Sequence, residues 1–280
     1  MGTRWLPAVA WLVCGVVMAQ APVVPTDHYG PPTCTGITKD AFKDRVAKAQ
    51  AEQQEGARDP HALTSAEPLE NLDIVRYRME DYYDCVGTGG CYWADLDAQY
   101  RRAETALKLE LGTRKAGEKL ALVLDIDETS LSSYCIEQRE NYGYIKATFN
   151  AWVVSPEAAT AIPGAVRLFK EAKAAGVDVF FITGRPGIPD ASAATHDEDQ
   201  TAATARNLEA AGYRGWAALQ LRNGSENAAT TIEYKASERR RIKDKGYRII
   251  MSVGDQWSDL QGDPKADVSV KLPNPFYFLP

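Results

Sequence analysis

Histidine is scarce in this 280-residue chain. There are three, His28, His61 and His196, and none stands in an Arg-His-Gly motif. That argues against a histidine nucleophile, and a histidine-rich dinuclear metal site would need more imidazoles than the chain supplies. His196, next to Asp197, Glu198 and Asp199, reads as a surface residue. No Gly-x-Ser-x-Gly elbow accompanies a histidine, which argues against a serine hydrolase. Excess positive charge is also missing: the net charge is −6, which argues against a long nucleic acid as partner. The one basic run, Arg239-Arg240-Arg241 to Lys245, has Glu233, Glu238 and Asp244 around it and reads as a solvated helix face. Close Cys-x-x-Cys pairs are absent, so a four-cysteine zinc site is a weak competitor for the cysteines. The Gly87-Thr88-Gly89-Gly90 loop has no strand leading into it and is not a dinucleotide fingerprint. No internal repeat is visible.

What is present is enough to build a large core. With 45% hydrophobic and 25% charged residues, the chain reads as one α/β domain with additions. Arg4, the apolar run Trp5 to Met18 and the small residues Ala19 and Ala21 resemble a secretory signal, so residues 1–21 are expected to be removed. The run is short for a membrane span, which predicts a periplasmic or secreted protein. Lipoprotein anchoring through Cys14 is disfavoured, because Trp11-Leu12-Val13 lacks the small residues usual before such a cysteine. Removal of the signal leaves Cys34, Cys85, Cys91 and Cys135, an even count that suggests two disulfides in an exported chain. Three pairings are open. The expected one joins Cys85 to Cys91 across the glycine loop and Cys34 to Cys135.

Pro22 to Pro32 reads as a loose linker, followed by helices near Thr38–Glu55, Pro68–Asp84 and Tyr92–Leu111. In the last of these, Leu96, Tyr100, Ala103 and Leu107 recur on one face, as packing against a main domain requires. Strands near 120–126, 177–183, 216–221, 247–253 and 267–271 then alternate with helices near 162–175, 199–211 and 231–245. Such alternation predicts a Rossmann-like parallel sheet with helices on both faces. The expected division is a linker and N-terminal helical extension over 22–115 and a core over 116–280, with a small cap insertion over 131–160 after the first strand.

The chemistry sits at strand ends. The run Ala-Leu-Val-Leu-Asp-Ile-Asp-Glu-Thr at 121–129 delivers Asp125 and Asp127 to the edge where open α/β sheets bind ligands, with Ile126 turned back into packing. A second apolar strand ends at Thr183 and Gly184, whose hydroxyl and N–H groups suit phosphate oxygens. Lys235, early in a predicted helix, supplies a cation for phosphoryl charge. A fourth run, Ile249 to Asp259, ends in Gly254, Asp255 and Asp259.

These four pieces, in this order, resemble the signature motifs of the haloacid dehalogenase-like superfamily, and their variants resemble its secreted acid phosphatases. Those are the class C (lipoprotein-type) phosphatases and the plant vegetative storage proteins. Ala161-Ile162-Pro163-Gly164-Ala165 and the closing Lys271-Leu272-Pro273-Asn274-Pro275 add to the likeness, which spans about 68–280. The resemblance implies that Asp125 is the nucleophile and Asp127 the general acid/base. Thr183, Gly184 and Lys235 would bind the substrate phosphate. Mg²⁺ would be held by the Asp125 side chain, the Asp127 backbone carbonyl and Asp255, with Asp259 in support directly or through water. The activity implied is Mg²⁺-dependent acid phosphatase turnover of small phosphomonoesters through an aspartyl-phosphate. A 5′-nucleotidase or a phosphotransferase would use the same site, and a secreted storage or phosphate-binding protein with negligible turnover is the alternative outside the enzymes. The oligomeric state stays open, a homodimer included.

Two departures bear on specificity rather than chemistry. Ser133 stands where many relatives have Asn, and Gly184-Arg185 stands where many have Asn-Arg. The cap insertion carries Tyr134, Tyr142, Tyr144, Phe149 and Trp152. Most of these rings are expected to form the cap's own core, with one or two at most facing an aromatic or nucleoside leaving group.

Overall fold

The computed structural model describes residues 34, 45–63, 69–86, 89–187, 200–223 and 229–279. The expected signal peptide and linker, Cys14, His28, His196 and the start of the first predicted helix lie outside them.

Five parallel strands form the sheet: β1 Lys119–Leu124, β2 Asp178–Pro186, β3 Ala218–Arg222, β4 Tyr247–Gly254 and β5 Val268–Lys271. Their spatial order is β3-β2-β1-β4-β5, with β1 at the centre between β2 and β4. The strands read as apolar runs because both faces are covered, and successive residues divide between the two faces. Leu120, Leu122 and Leu124 of β1, with Val179 and Phe181 of β2, belong to the larger core cluster. That cluster holds the inner faces of α3 (Tyr92–Gly112) and α6 (Pro163–Ala174). Ala121, Val123, Phe180 and Ile182 turn the other way and meet Tyr234 and Ile242 of α8 (Thr231–Asp244).

The α3 face expected from its spacing is the one that packs: Leu96, Tyr100, Ala103 and Leu107 are all buried. It lies close against α6, where a Cβ on Gly164 would fall 2.4 Å from the Tyr100 ring. Thr230 and Glu233 close a capping box at the start of α8, which fixes where that helix begins. The remaining helices are α1 Arg45–Gly56, α2 Leu72–Asp84, α4 Tyr134–Arg139, α5 Lys146–Val153, α7 Gln200–Ala210 and α9 Trp257–Leu260. The cap insertion is built from α4, α5 and a short 3₁₀ turn at Pro156–Ala159. Cys34 is bonded to Cys135 and Cys85 to Cys91, the expected pairing.

Two expectations need correction. The basic run is not one solvated face: Arg240 and Arg241 are exposed, but Arg239 is buried. Arg239 lies four residues after Lys235, on the same inward stripe of α8. Its guanidinium donates to the carbonyls of Pro264 and Asp259, both at 2.7 Å, and to those of Gln261 and Gly262. β2 also runs on to Pro186, so Thr183 and Gly184 lie within the strand rather than at its end.

Candidate active site

The floor of the site forms where β1 and β4 end side by side. The Asp125 N–H donates to the Val253 carbonyl at 3.1 Å, so the chain leaves β1 still tied to β4. The carboxylates of Asp125, Asp255 and Asp259 all place an oxygen within 4.8 Å of one another, and all three residues are buried. The Lys235 ammonium, reaching in from the second turn of α8, bridges Asp125 and Asp259. Asp255 accepts hydrogen bonds from the Thr129 hydroxyl (3.1 Å), Gln256 Nε2 (2.9 Å) and Asn274 Nδ2 (2.6 Å). Asp259 also accepts the Gln256 N–H at 2.8 Å.

Burial in one corner with neighbouring carboxylates raises the proton affinity of Asp125 and Asp255. Burial pushes Asp125 well above the usual carboxylate range; Lys235 pulls it back, and Asp259, Asp255 and Asp127 push it further. Asp255 is pushed to about 6 by burial and then by Asp259, against the hydrogen bonds from Asn274 and Gln256. Burial opposes the charge on Lys235, but Asp125 and Asp259 outweigh it and the ammonium holds its proton more tightly than usual. A corner with this much repulsion and only oxygen donors fits a hard divalent cation.

Asp127 lies two residues beyond Asp125, past the fully buried Ile126. Arg185 grips it from β2 with Nε at 2.9 Å and Nη2 at 2.6 Å, and donates Nη1 to Thr204 at 3.2 Å. Thr183 is buried beside them, its hydroxyl accepting the Arg185 N–H at 3.2 Å. Arg185 was visible in the sequence only as part of a departure from the usual dipeptide; its reach to Asp127 spans 58 residues and has no local signal.

The loop after β1 is held from beneath. Glu128 adopts φ 50° and is fully buried. Its carboxylate accepts the Ser133 N–H at 2.6 Å, the Ser132 hydroxyl at 3.1 Å and the Tyr92 hydroxyl. Burial raises Glu128 to about 7, and the Tyr92 hydrogen bond works against that rise. Tyr100 and Tyr213 donate to the carbonyls of Thr129 and Ser130 at 2.7 and 2.8 Å. Nothing in the sequence singles out Glu128, whose partner on α3, Tyr92, lies 36 residues away.

Above this floor is a cleft of about 490 Å³, and every expected site residue lines it: Asp125, Asp127, Thr183, Gly184, Lys235, Asp255 and Asp259. Of the five cap rings, Tyr142, Tyr144 and Phe149 line it. Tyr134 and Trp152 are buried away from it, Tyr134 stacked on Tyr83 at 3.3 Å between ring centroids. Tyr277, Phe278 and Leu279 from the end of the chain join the lining, as do Arg222 and Glu137, none of them anticipated.

The arrangement agrees with comparison to known proteins. A family model described as HAD superfamily, subfamily IIIB (acid phosphatase), matches residues 42–280. The chain belongs to that subfamily. It is thus an acid phosphatase by family, a phosphoric monoester hydrolase with a buried carboxylate cluster of the kind a divalent metal occupies. Among relatives of this HAD subfamily IIIB chain, Acid phosphatase 1 of Solanum lycopersicum is 33% identical over 216 residues, 76% of each chain. Vegetative storage protein 1 of Arabidopsis thaliana is 32% identical over 164 residues, 56% of this chain and 55% of that one. The fold is that of the class C acid phosphatase from Bacillus anthracis, with a TM-score of 0.52 at 21% identity over 73% of this chain and 86% of that one.

Proposed function

We propose that this is an exported, Mg²⁺-dependent acid phosphatase that hydrolyses small phosphomonoesters through an aspartyl-phosphate on Asp125. The observation that carries the reading is the meeting of Asp125, Lys235, Asp255 and Asp259 in one buried corner beneath the cleft. An Asp125 oxygen attacks phosphorus and the bond to the ester oxygen breaks, with Asp127 giving the departing alkoxide a proton. Asp127 then takes a proton from water, whose oxygen attacks the same phosphorus and releases phosphate and Asp125. Thr183, the Gly184 backbone and Lys235 bind the phosphoryl oxygens; Arg185 keeps Asp127 turned toward the cleft. Asp125, Asp255, Asp259 and the Asp127 carbonyl would hold Mg²⁺, which would supply charge neutralisation for the phosphoryl group.

The test is p-nitrophenyl phosphate turnover with Mg²⁺, after chelation with EDTA, and in Asp125→Asn and Asp127→Asn. We expect turnover that EDTA abolishes and Mg²⁺ restores, and none in Asp125→Asn. Asp127→Asn turning over at the wild-type steady rate would remove it as acid/base. The likeness to vegetative storage proteins supports a second reading, storage with negligible turnover, and an inactive wild-type protein would favour it.

The domain boundaries follow the same reading: an export signal over 1–21, a helical extension to 115 and the catalytic core over 116–280 with its cap at 131–160. The two disulfides support export, since such bonds persist in oxidising compartments. Amino-terminal sequencing of the mature protein tests the cleavage site.

A further inference from the structure

Among the acids that line the cleft, Glu137 is the one the mechanism leaves unused. Asp125 and Asp259 are paired with Lys235, Asp127 with Arg185, and Asp255 is held by three hydrogen bonds. Glu137, on α4 of the cap, is 6% exposed, lines the cleft, and receives no hydrogen bond or ion pair on its carboxyl from any described residue. A buried carboxylate with no partner is costly, so the group must either stay neutral or find its partner in a ligand. Burial, then repulsion from Glu128, Asp127, Glu140 and Asp255, holds it protonated up to about pH 8. A protonated carboxyl offers an O–H donor next to a carbonyl acceptor. Glu137 lines the same cleft as Asp127, the group that serves the leaving oxygen, and Tyr142, Tyr144 and Phe149 line it too.

We propose that Glu137 is a specificity-determining residue whose carboxyl hydrogen-bonds an amide-like edge, a carbonyl beside an N–H, on a flat leaving group packed against the cap rings. The inference rests on the phosphatase reading above and adds to it which phosphomonoesters the cleft favours. An ammonium-bearing leaving group is the competing partner for a lone acid, but it would require Glu137 to give up its proton first.

The experiment compares three arylmethyl phosphates of similar leaving-group chemistry at pH 6: benzyl phosphate, 4-carbamoylbenzyl phosphate and 4-(aminomethyl)benzyl phosphate. One good neutral hydrogen bond predicts a kcat/KM about tenfold higher for the carbamoyl compound than for benzyl phosphate, carried mainly in KM. Glu137→Gln, which keeps a donor and an acceptor, should retain most of that ratio; Glu137→Leu should bring it close to one. A wild-type ratio near one, an unchanged ratio in Glu137→Leu, or preference for the aminomethyl compound would each overturn the assignment. The wild-type ratios decide by themselves if a variant fails to fold. Benzyl phosphate reports on the parent reading separately: turnover of it with no amide preference sinks the subsite alone, and no Mg²⁺-dependent turnover of any of the three sinks both.

Discussion

At the scale of the residue, the site depends on close approaches that a single methyl group would disturb. Gly254 ends β4, and a Cβ there would lie 2.3 Å from both Cβ and Oδ2 of Asp259. Its backbone is ordinary, so Gly254→Ala acts by pushing Asp259 off Lys235 and off the Gln256 N–H. A displacement of that kind is expected to lower p-nitrophenyl phosphate turnover by about 100-fold and to raise the Mg²⁺ concentration needed for half-activity. Turnover within twofold of wild type at an unchanged Mg²⁺ requirement would show that Asp259 is not so constrained. Glu137 gives a test in pH. Its carboxyl titrates at 4.5 unperturbed and at about 8 in the fold, so the native state holds the proton more tightly. That stabilisation is complete below 4.5 and is lost as pH rises toward 8, by about 1.4 kcal/mol per unit at most. Glu137→Gln removes the titration. Its melting temperature relative to wild type, measured in EDTA, should climb from pH 5 to 8 and then level; a flat or falling difference would contradict the assigned environment. The same scale separates what was legible from what was not. Asp125, Asp127, Thr183, Lys235, Asp255 and Asp259 could be read because each falls where an apolar run or a helix start places it. Arg185, Arg239 and Glu137 carry no such spacing; only the path of the folded chain gives the two arginines their partners and brings Glu137 to the cleft.

At the scale of the element, α3 and α6 meet so closely that Gly164 cannot be enlarged. The added Cβ would sit 2.4 to 2.6 Å from three atoms of Tyr100, which is fully buried. Gly164→Ala is therefore expected to cost about 2 kcal/mol by overpacking. The Tyr100 hydroxyl holds the Thr129 carbonyl, and Thr129 in turn holds Asp255, so kcat should fall as well. A melting temperature within a degree of wild type would show that the helices separate freely. Strands and long helices were readable because burial on both faces makes a strand a continuous apolar run, and burial on one makes a helix periodic. The largest error in a strand bound is at β2, read to 183 and running to Pro186. The cap helices α4 and α5, with 6 and 8 residues, are too short to show a period. Tyr277 to Leu279 belong to no regular element, so nothing local told that they would line the cleft.

At the scale of the whole molecule, the two disulfides contribute differently because they close loops of different size. Cys34 and Cys135 are separated by 101 residues, Cys85 and Cys91 by 6. On the chain-entropy account, the longer crosslink removes about 4.7 kcal/mol of unfolded-state freedom and the shorter about 2.2 kcal/mol. Against a typical stability of roughly 5–15 kcal/mol, the first is a large share of what holds the fold. It also ties the amino-terminal arm to Cys135 in α4, the helix that carries Glu137, whereas the second only closes the turn from α2 into α3. Urea unfolding of the paired variants Cys34→Ser/Cys135→Ser and Cys85→Ser/Cys91→Ser should therefore show the first pair losing about 2 kcal/mol more than the second. Its amide-over-benzyl selectivity should fall further too, because the helix bearing Glu137 loses its anchor. Equal losses, or a larger loss for the short loop, would mean that strain or residual structure outweighs loop closure and that the amino-terminal arm contributes little. The expected order would instead make an oxidising compartment a condition of full stability, which ties the export reading to the energetics of the fold.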